Sequence, residues 1–228
     1  MPCLSQIRRE KYLASVRNTV RYAVLMSVLL LAGPLQAGMD LNGDGWKAVE
    51  TTASGQIYHR QIAASPLPWI MIVASFRSTP ERVHKVVVDY DHFPEFIPNV
   101  LQSRVLENEG NDQWVYHHLG FPAPVSDRKY VIRSTDSERH PAQQVYRVDW
   151  QLDNRSFPGV DLAAAIRPDV FTGFWELQAV AGSNTTVAYY AVHSEPGGFI
   201  PGWLVTAMTE RYVQQVVEAV RNRLGDSQ

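Results

Sequence analysis

The chain contains a single cysteine, Cys3, among its 228 residues. One thiol cannot form an intramolecular disulfide, and Cys3 lies in an N-terminal segment that is predicted below to be removed. The mature chain would begin at Gly38 and contain no cysteine. Disulfide stabilisation and thiol chemistry are therefore excluded for the mature protein.

The N-terminal region lacks a hydrophobic run long enough to span a membrane. Its uncharged stretch, Tyr22–Leu35, has 14 residues, whereas a spanning helix needs about 20. Small residues follow, with a plausible cleavage point between Ala37 and Gly38. The basic residues before the stretch are Arg8, Arg9, Lys11, Arg17 and Arg21. This pattern predicts a cleaved signal peptide over residues 1–37 and export to the periplasm or secretion. The length of the basic leader leaves an uncleaved anchor as the alternative.

The mature chain also lacks an excess of positive charge. Removal of residues 1–37 leaves 191 residues with 16 basic and 22 acidic side chains, a net charge of −6. No run of five Lys or Arg residues occurs after residue 37. Nucleic-acid binding is not expected, because phosphate contacts need a dense basic surface. Net charge also does not favour attraction to anionic membranes. The length suits one domain, residues 38–228.

Common catalytic motifs are absent from the sequence. It has no Gly-x-Ser-x-Gly, no His-Glu-x-x-His, no phosphate-binding loop and no dinucleotide fingerprint. His117 and His118 are adjacent, but neighbours on a strand point to opposite faces and cannot easily share a metal ion. We therefore predict no catalytic residue, no metal site and no cofactor.

Residues Asp40–Gly45 match the first positions of an EF-hand calcium loop, but later positions depart from that motif. The twelfth position should be a bidentate Glu and is Thr51, while Glu50 stands one place early. We interpret the segment as a polar turn, and we predict that Asp44 caps a short helix beginning near Trp46.

Eight segments have the composition of β-strands. Val145–Leu152 gives the clearest signal, since apolar and polar residues alternate along it. Short polar connections between successive segments predict hairpins and hence an antiparallel sheet. The predicted strands are Gln56–Ile62, Trp69–Phe76, Val100–Leu106, Trp114–Phe121, Arg128–Thr135, Val145–Leu152, Phe171–Val180 and Thr186–Ser194.

Helix signals occur at two further places. Ser78–Glu81 predicts a helix start with Ser78 or Thr79 as the cap, and Glu81 would complete a capping box if Ser78 is the cap. Pro94 and Pro98 end that helical region. A long helix is predicted over Pro201–Leu224, because Leu204, Met208, Tyr212, Val216, Val220 and Leu224 recur every four residues. The apolar stripe of this helix must be buried, and the sheet is its available partner, so the fold class is α+β.

Several local strings resemble the START and polyketide-cyclase/lipid-transport superfamily. They are Gly45–Lys47 before Gly55–Tyr58, the helix and proline-rich corner Val87–Pro98, the strand opening Val125–Arg128, and the turn Glu195–Leu204. Their order matches the family, and the resemblance covers nearly all of the mature chain. It implies a helix-grip fold, in which a curved antiparallel sheet wraps the long C-terminal helix. It also implies a cavity for a sterol, phospholipid, polyketide or quinone. The superfamily includes enzymes, so the fold alone does not assign a function.

The candidate ligand-binding residues lie on the strands and on the last helix. Arg128 shares a strand face with Tyr130 and would point inward, where it needs a carboxylate partner. It is either half of a structural ion pair or a polar anchor for a lipid head group. The other candidates, which equally suit a plain core, are Trp150, Trp175, Trp203, Met208 and Tyr212, with Ala207 leaving room for a ligand.

These observations lead to one principal hypothesis and two alternatives. The protein is predicted to bind or transfer a lipid or other hydrophobic small molecule without catalysis, with transient membrane contact. The turn Glu195–Gly202, which contains three glycines, would act as a gate. The alternatives are a cyclase or hydrolase that uses the same cavity, and a protein-interaction subunit.

Overall fold

The computed structural model of the protein describes residues 39–41, 43–121, 125–140, 144–160, 162 and 166–226. The predicted signal peptide and its cleavage point lie outside the described residues, so both stay predictions.

The described residues form an antiparallel sheet of nine strands. The strands are β1 Lys47–Thr51, β2 Gln56–Arg60, β3 Trp69–Phe76, β4 Val100–Glu109, β5 Asp112–Leu119, β6 Arg128–His140, β7 Val145–Asp153, β8 Val170–Ala179 and β9 Thr186–Glu195. Their order across the sheet is β1-β2-β3-β9-β8-β7-β6-β5-β4. The chain therefore crosses once from β3 to the far edge at β4, and each later strand pairs with the one before it. The eight predicted strands and their antiparallel pairing are confirmed.

The predicted helix near Trp46 is wrong, since β1 begins at the next residue. Lys47 and Thr51 pair with His59 and Gln56 of β2. The Trp46 ring is buried, with the Arg60 guanidinium 4.6 Å from its centre. Pairing with β2 satisfies the backbone of this segment, and such a tertiary contact overrides a weak local capping signal.

Three helical elements separate β3 from β4. They are α1 Pro80–Val87, a 3-10 helix Tyr90–His92, and α2 Phe93–Phe96. Of the two predicted caps, Thr79 is the one that α1 uses, since its hydroxyl accepts a hydrogen bond from the Arg82 backbone N–H. Ser78 is fully buried instead, and its carbonyl accepts a hydrogen bond from the Thr186 hydroxyl of β9. Ser78 is thus attached to the sheet, and Thr79 is left to cap the helix.

The C-terminal helix α3, Gly202–Leu224, packs on the sheet and on α1. Val213 and Val217 are fully buried in the core, and Val216 and Val220 are nearly so. Gly225 ends the helix in the left-handed conformation, φ +76°, which only glycine adopts at little cost. The predicted α+β architecture, a long terminal helix covered by an antiparallel sheet, is confirmed.

Candidate functional site

An inner cavity of about 60 Å³ lies between the sheet and α3. The inward faces of β5 to β9 supply aromatic side chains to its wall. Val216 and Val220 of α3 and Val87 of α1 close it from the helical side. The wall is therefore built from the same apolar positions that pack the core, at a place where they do not fill the space.

Six rings form a continuous path along the inner face of the sheet. In order of contact they are His117, Tyr130, Phe171, Trp150, Tyr190 and Trp175, and neighbouring ring centres are 4.1 to 6.3 Å apart. All six line the inner cavity. Aromatic side chains bury a large area with few rotatable bonds, so they give the cavity a wall that holds its shape.

Gly173 of β8 allows the Trp150 indole to lie against the sheet. It stands opposite Trp150 in the β7–β8 register. A Cβ atom at this position would collide with the indole and with the Ala191 carbonyl oxygen. Sequence analysis did not identify Gly173, although an isolated glycine within a strand does indicate a close approach.

His117 faces the inner cavity and is buried, with 5% of its surface exposed. Its ring stacks on Phe93 at 6.0 Å and meets the edge of Tyr90 at 6.1 Å. Burial lowers the pKa of His117 to about 4, so the imidazole is neutral at neutral pH. His118 points the other way, and its Nε2 lies 2.8 Å from Asp127 Oδ2. The predicted alternation of the two histidines is therefore confirmed, but sequence analysis did not recognise His117 as part of the cavity.

The tyrosines of the inner cavity are neutral hydrogen-bonding groups. Tyr90 shares a hydrogen bond of 2.7 Å with the Ser134 hydroxyl, and burial raises the Tyr90 pKa to about 12. Burial also raises the pKa values of Tyr130, Tyr190 and Tyr212. The cavity wall contains no Asp, Glu, Lys or Arg among the described residues. Its polarity therefore comes from uncharged donors and acceptors.

An outer cleft of about 450 Å³ adjoins the inner cavity. Phe171 and Tyr212 line both spaces and stand between them. The outer cleft contains two arginines, Arg128 and Arg211, and no carboxylate among its described lining residues. The two spaces together suit a molecule with an apolar part and a polar or negatively charged part.

Arg128 is buried in the wall of the outer cleft, with 4% of its surface exposed. Its Nε donates to the Pro196 carbonyl at 2.7 Å and its Nη2 to the Gly197 carbonyl at 3.1 Å. Nη1 donates to the Ser126 carbonyl. Burial lowers the Arg128 pKa. Three of the five guanidinium N–H groups are used in this way.

The expected carboxylate partner of Arg128 is therefore wrong. Three backbone carbonyls take its place, because a non-helical turn leaves carbonyl oxygens that need donors. Glu176, on β8, bonds to Arg147 at 3.0 Å.

The structure brings six of the eight candidate residues to the two spaces. Tyr130, Trp150, Trp175 and Tyr212 line the inner cavity, and Arg128, Met208 and Tyr212 line the outer cleft. Trp203 is 74% exposed and Ala207 is exposed, and neither lines these spaces. The expectation that Trp203 and Ala207 face the ligand is corrected, because the cavity face of α3 is defined by Val205, Met208, Tyr212 and Val216. Neighbouring positions on a helix differ by about 100° in direction.

Within the described ranges, no three His, Cys, Asp or Glu side chains gather closely enough to hold a metal ion. No helix of the described chain has the length and apolar character needed to cross a membrane.

Comparison with known proteins agrees with this architecture. The family model described as polyketide cyclase / dehydrase and lipid transport matches residues 78–221. An uncharacterized protein of Pseudomonas aeruginosa is 26% identical over 205 residues, which cover 90% of this chain and 95% of that protein.

Solved structures extend the agreement to the fold. The crystal structure of a STAR-related lipid transfer protein from Xanthomonas axonopodis is 25% identical, with a TM-score of 0.69, over 79% of this chain and 99% of that one. Human STARD10 shares the fold at 16% identity, with a TM-score of 0.65, over 77% of this chain and 73% of that one. The resemblance seen in the sequence is confirmed, and the chain belongs to the polyketide cyclase / dehydrase and lipid transport family, with a START-like helix-grip fold.

Proposed function

We propose that the protein binds and carries a lipid or similar hydrophobic small molecule between the sheet and α3, after export from the cytoplasm. The observation that carries this proposal is the pair of adjoining spaces. The aromatic inner cavity and the larger cleft share Phe171 and Tyr212 in their walls. The inner cavity, about 60 Å³, accepts one end of a molecule, and the cleft, about 450 Å³, accepts the remainder.

The charges of the outer cleft define how such a molecule lies. Arg211 is exposed at the cleft, and Arg128 retains two N–H groups beyond those bonded to carbonyls. A negatively charged or strongly polar group would lie there, because the inner cavity offers no countercharge and burial of an unpaired charge is costly.

Binding is favoured over catalysis by the state of His117. It is the one histidine in the described lining of the inner cavity, and no carboxylate lies there to orient it. A general acid or base works best with a pKa near the working pH, and the His117 pKa is about 4. A cyclase or hydrolase in this cavity would find no histidine–carboxylate pair among the described lining residues.

Native mass spectrometry of the protein purified from an exporting bacterium tests the proposal. We expect an additional bound mass in the wild type. Val216 lines the inner cavity, so Val216→Met should fill it and abolish the bound mass with little loss of stability.

Val217→Met is the matched control for this experiment. Val217 is fully buried but lines neither space, so the longer side chain should lower stability by about 1–3 kcal/mol and leave the bound mass in place. A wild-type protein that is always empty, or a bound mass that survives in Val216→Met, would contradict the proposal.

Membrane contact would occur through the exposed aromatics next to the cleft. Phe199 is fully exposed and Trp203 is 74% exposed, and the neighbouring Ile200 lines the cleft. Aromatic side chains of this kind partition into the lipid headgroup region.

We expect the double variant Phe199→Ser, Trp203→Ser to bind phosphatidylcholine vesicles about tenfold more weakly, a loss of about 1.4 kcal/mol. The control is Leu101→Ser, at an exposed leucine of β4. Equal loss in that variant would count against a specific contact.

A further inference from the structure

Two residues that line the inner cavity each carry a buried nitrogen atom with no hydrogen-bond partner among the described residues. The atoms are Trp150 Nε1 and His117 Nδ1. Trp150 is 8% exposed and His117 is 5% exposed, and both residues line the cavity. Buried polar groups in folded proteins almost always have a partner, so two unpaired groups at one cavity require an explanation.

The chemistry of the two groups defines the missing partner. An indole N–H can only donate, so Trp150 needs an acceptor. A neutral imidazole has one donor and one acceptor nitrogen, so His117 can serve either kind of group. The cavity wall carries no charged side chain among the described residues, and a desolvated carboxylate or phosphate would find no countercharge. The partner is therefore a neutral group with an oxygen acceptor.

We propose that the inner cavity recognises a neutral oxygen atom, a carbonyl or hydroxyl, at the buried end of the ligand, with Trp150 Nε1–H as the donor to it. His117 provides a second hydrogen-bonding position on the same wall, two strands away, and the ring of Tyr130 lies between. This inference rests on the proposed function, and it adds that the ligand enters with an oxygenated end first and keeps any charge at Arg128 and Arg211. A purely hydrocarbon end would leave both nitrogen atoms unpaired.

Gly173 helps to position the Trp150 indole for this hydrogen bond. It admits the indole of Trp150 to its position against β8, where a larger residue would displace the ring. The donor is thus fixed by packing and does not have to be ordered when the ligand binds, which reduces the entropy cost of binding.

The test uses two probes of the same shape, a long-chain methyl ketone and the alkene in which a methylene group replaces the carbonyl oxygen. Both are titrated into isotope-labelled wild-type protein and followed by NMR. We expect the ketone to bind about tenfold more tightly, equivalent to about 1.4 kcal/mol. The indole N–H resonance of Trp150, assigned from Trp150→Phe, should move downfield with the ketone and not with the alkene.

Two variants separate recognition from packing. Trp150→Phe should bind both probes with affinities within about twofold of each other, because the ring is retained and the donor is lost. Trp46→Phe is the matched control: Trp46 is buried but lines neither space, so the preference for the ketone should persist.

Equal binding of ketone and alkene, with an unmoved Trp150 resonance, would overturn the inference and leave the proposed function intact. Failure of both probes to bind would overturn the proposed function and this inference together.

Discussion

Arg128 shows how one side chain can connect a strand to a distant turn. It opens β6, yet its guanidinium bonds to carbonyl oxygens of Pro196 and Gly197, about 70 residues further along the chain. Those residues form the turn that precedes α3. The arginine therefore acts first as a support for this turn, and only its two remaining N–H groups are free to meet a ligand.

We expect Arg128→Leu to lower the free energy of unfolding by about 3 kcal/mol, because several buried carbonyl oxygens lose a charged donor. Urea unfolding followed by fluorescence measures this change. Arg211→Leu, at the exposed arginine of the same cleft, should stay within about 0.5 kcal/mol of the wild type. If Arg128→Leu were as stable as the wild type and lost only its ligand, Arg128 would be an anchor and not a support.

His117 makes stability depend on pH in a defined direction. Its pKa in the folded protein is about 4, below the ordinary value of 6.5, so the unfolded chain binds a proton more readily. The neutral His117 imidazole therefore leaves the free energy of unfolding at its full value above pH 6.5. That free energy falls progressively as the pH is lowered from 6.5 toward 4, because the unfolded chain takes up the proton first. The size of the loss is roughly 3 kcal/mol.

Denaturant unfolding of the wild type and of His117→Phe across this pH range isolates the contribution of His117. The carboxylates and the remaining histidines titrate in both proteins, so their contributions cancel in the comparison. The difference in stability between the two should shift in favour of the variant by a few kcal/mol as the pH falls. Parallel pH profiles would show that the imidazole is not buried as the structure has it.

At the scale of elements, the turn between β9 and α3 forms part of the wall of the outer cleft. Pro196 and Ile200 line the cleft, while Gly197 and Gly198 between them both have positive φ, +68° and +73°. The notion of a gate at Glu195–Gly202 stays a prediction. Its hinge would have to work against the bonds from Arg128, which hold the first half of the turn.

The two glycines give a matched pair of substitutions. Gly198→Ala should cost about 1 kcal/mol, the usual penalty for a left-handed alanine, since the added Cβ meets nothing closer than 3.8 Å. Gly197→Ala should cost about 3 kcal/mol, because its Cβ also collides with the Arg167 carbonyl oxygen. Thermal unfolding of the two variants compares them, and equal losses would contradict the crowding at Gly197.

At the scale of the whole described domain, both spaces are built from strands and helices that are distant in the sequence. The chain returns from β4 strand by strand until β9 pairs with β3, and α3 then crosses the completed sheet. The cavity wall is therefore assembled from residues far apart in sequence, such as Val87 of α1 and Val220 of α3. Such a wall forms only in the folded protein, so ligand binding and stability should be linked.

Export is tested on the whole chain by intact mass. Protein recovered from the periplasm or medium should lack residues 1–37 and begin at Gly38, since a small residue precedes the predicted cleavage point. Ala37→Tyr should retain the leader. A full-length wild-type protein held in the membrane would support the uncleaved anchor instead.

The sequence by itself determined eight of the nine strands and the long last helix, because those signals are local and periodic. Strand alternation in Val145–Leu152 and the four-residue repeat of α3 each depend on residues close in the chain, and both agree with the structure. The family strings added the order of the elements. Tyr130 was placed by its strand parity with Arg128, whereas Trp150 and Trp175 became candidates through the expected architecture and the family resemblance.

Tertiary structure decided the features that join distant residues. It made Lys47–Thr51 a strand, through pairing with β2. It gave Arg128 carbonyl partners from the turn before α3, and it turned Trp203 and Ala207 away from the cavity. It also placed His117 and Trp150 on one wall with unpaired nitrogen atoms. No local pattern encodes these outcomes, because each depends on which side of an element meets another once the sheet has closed over α3.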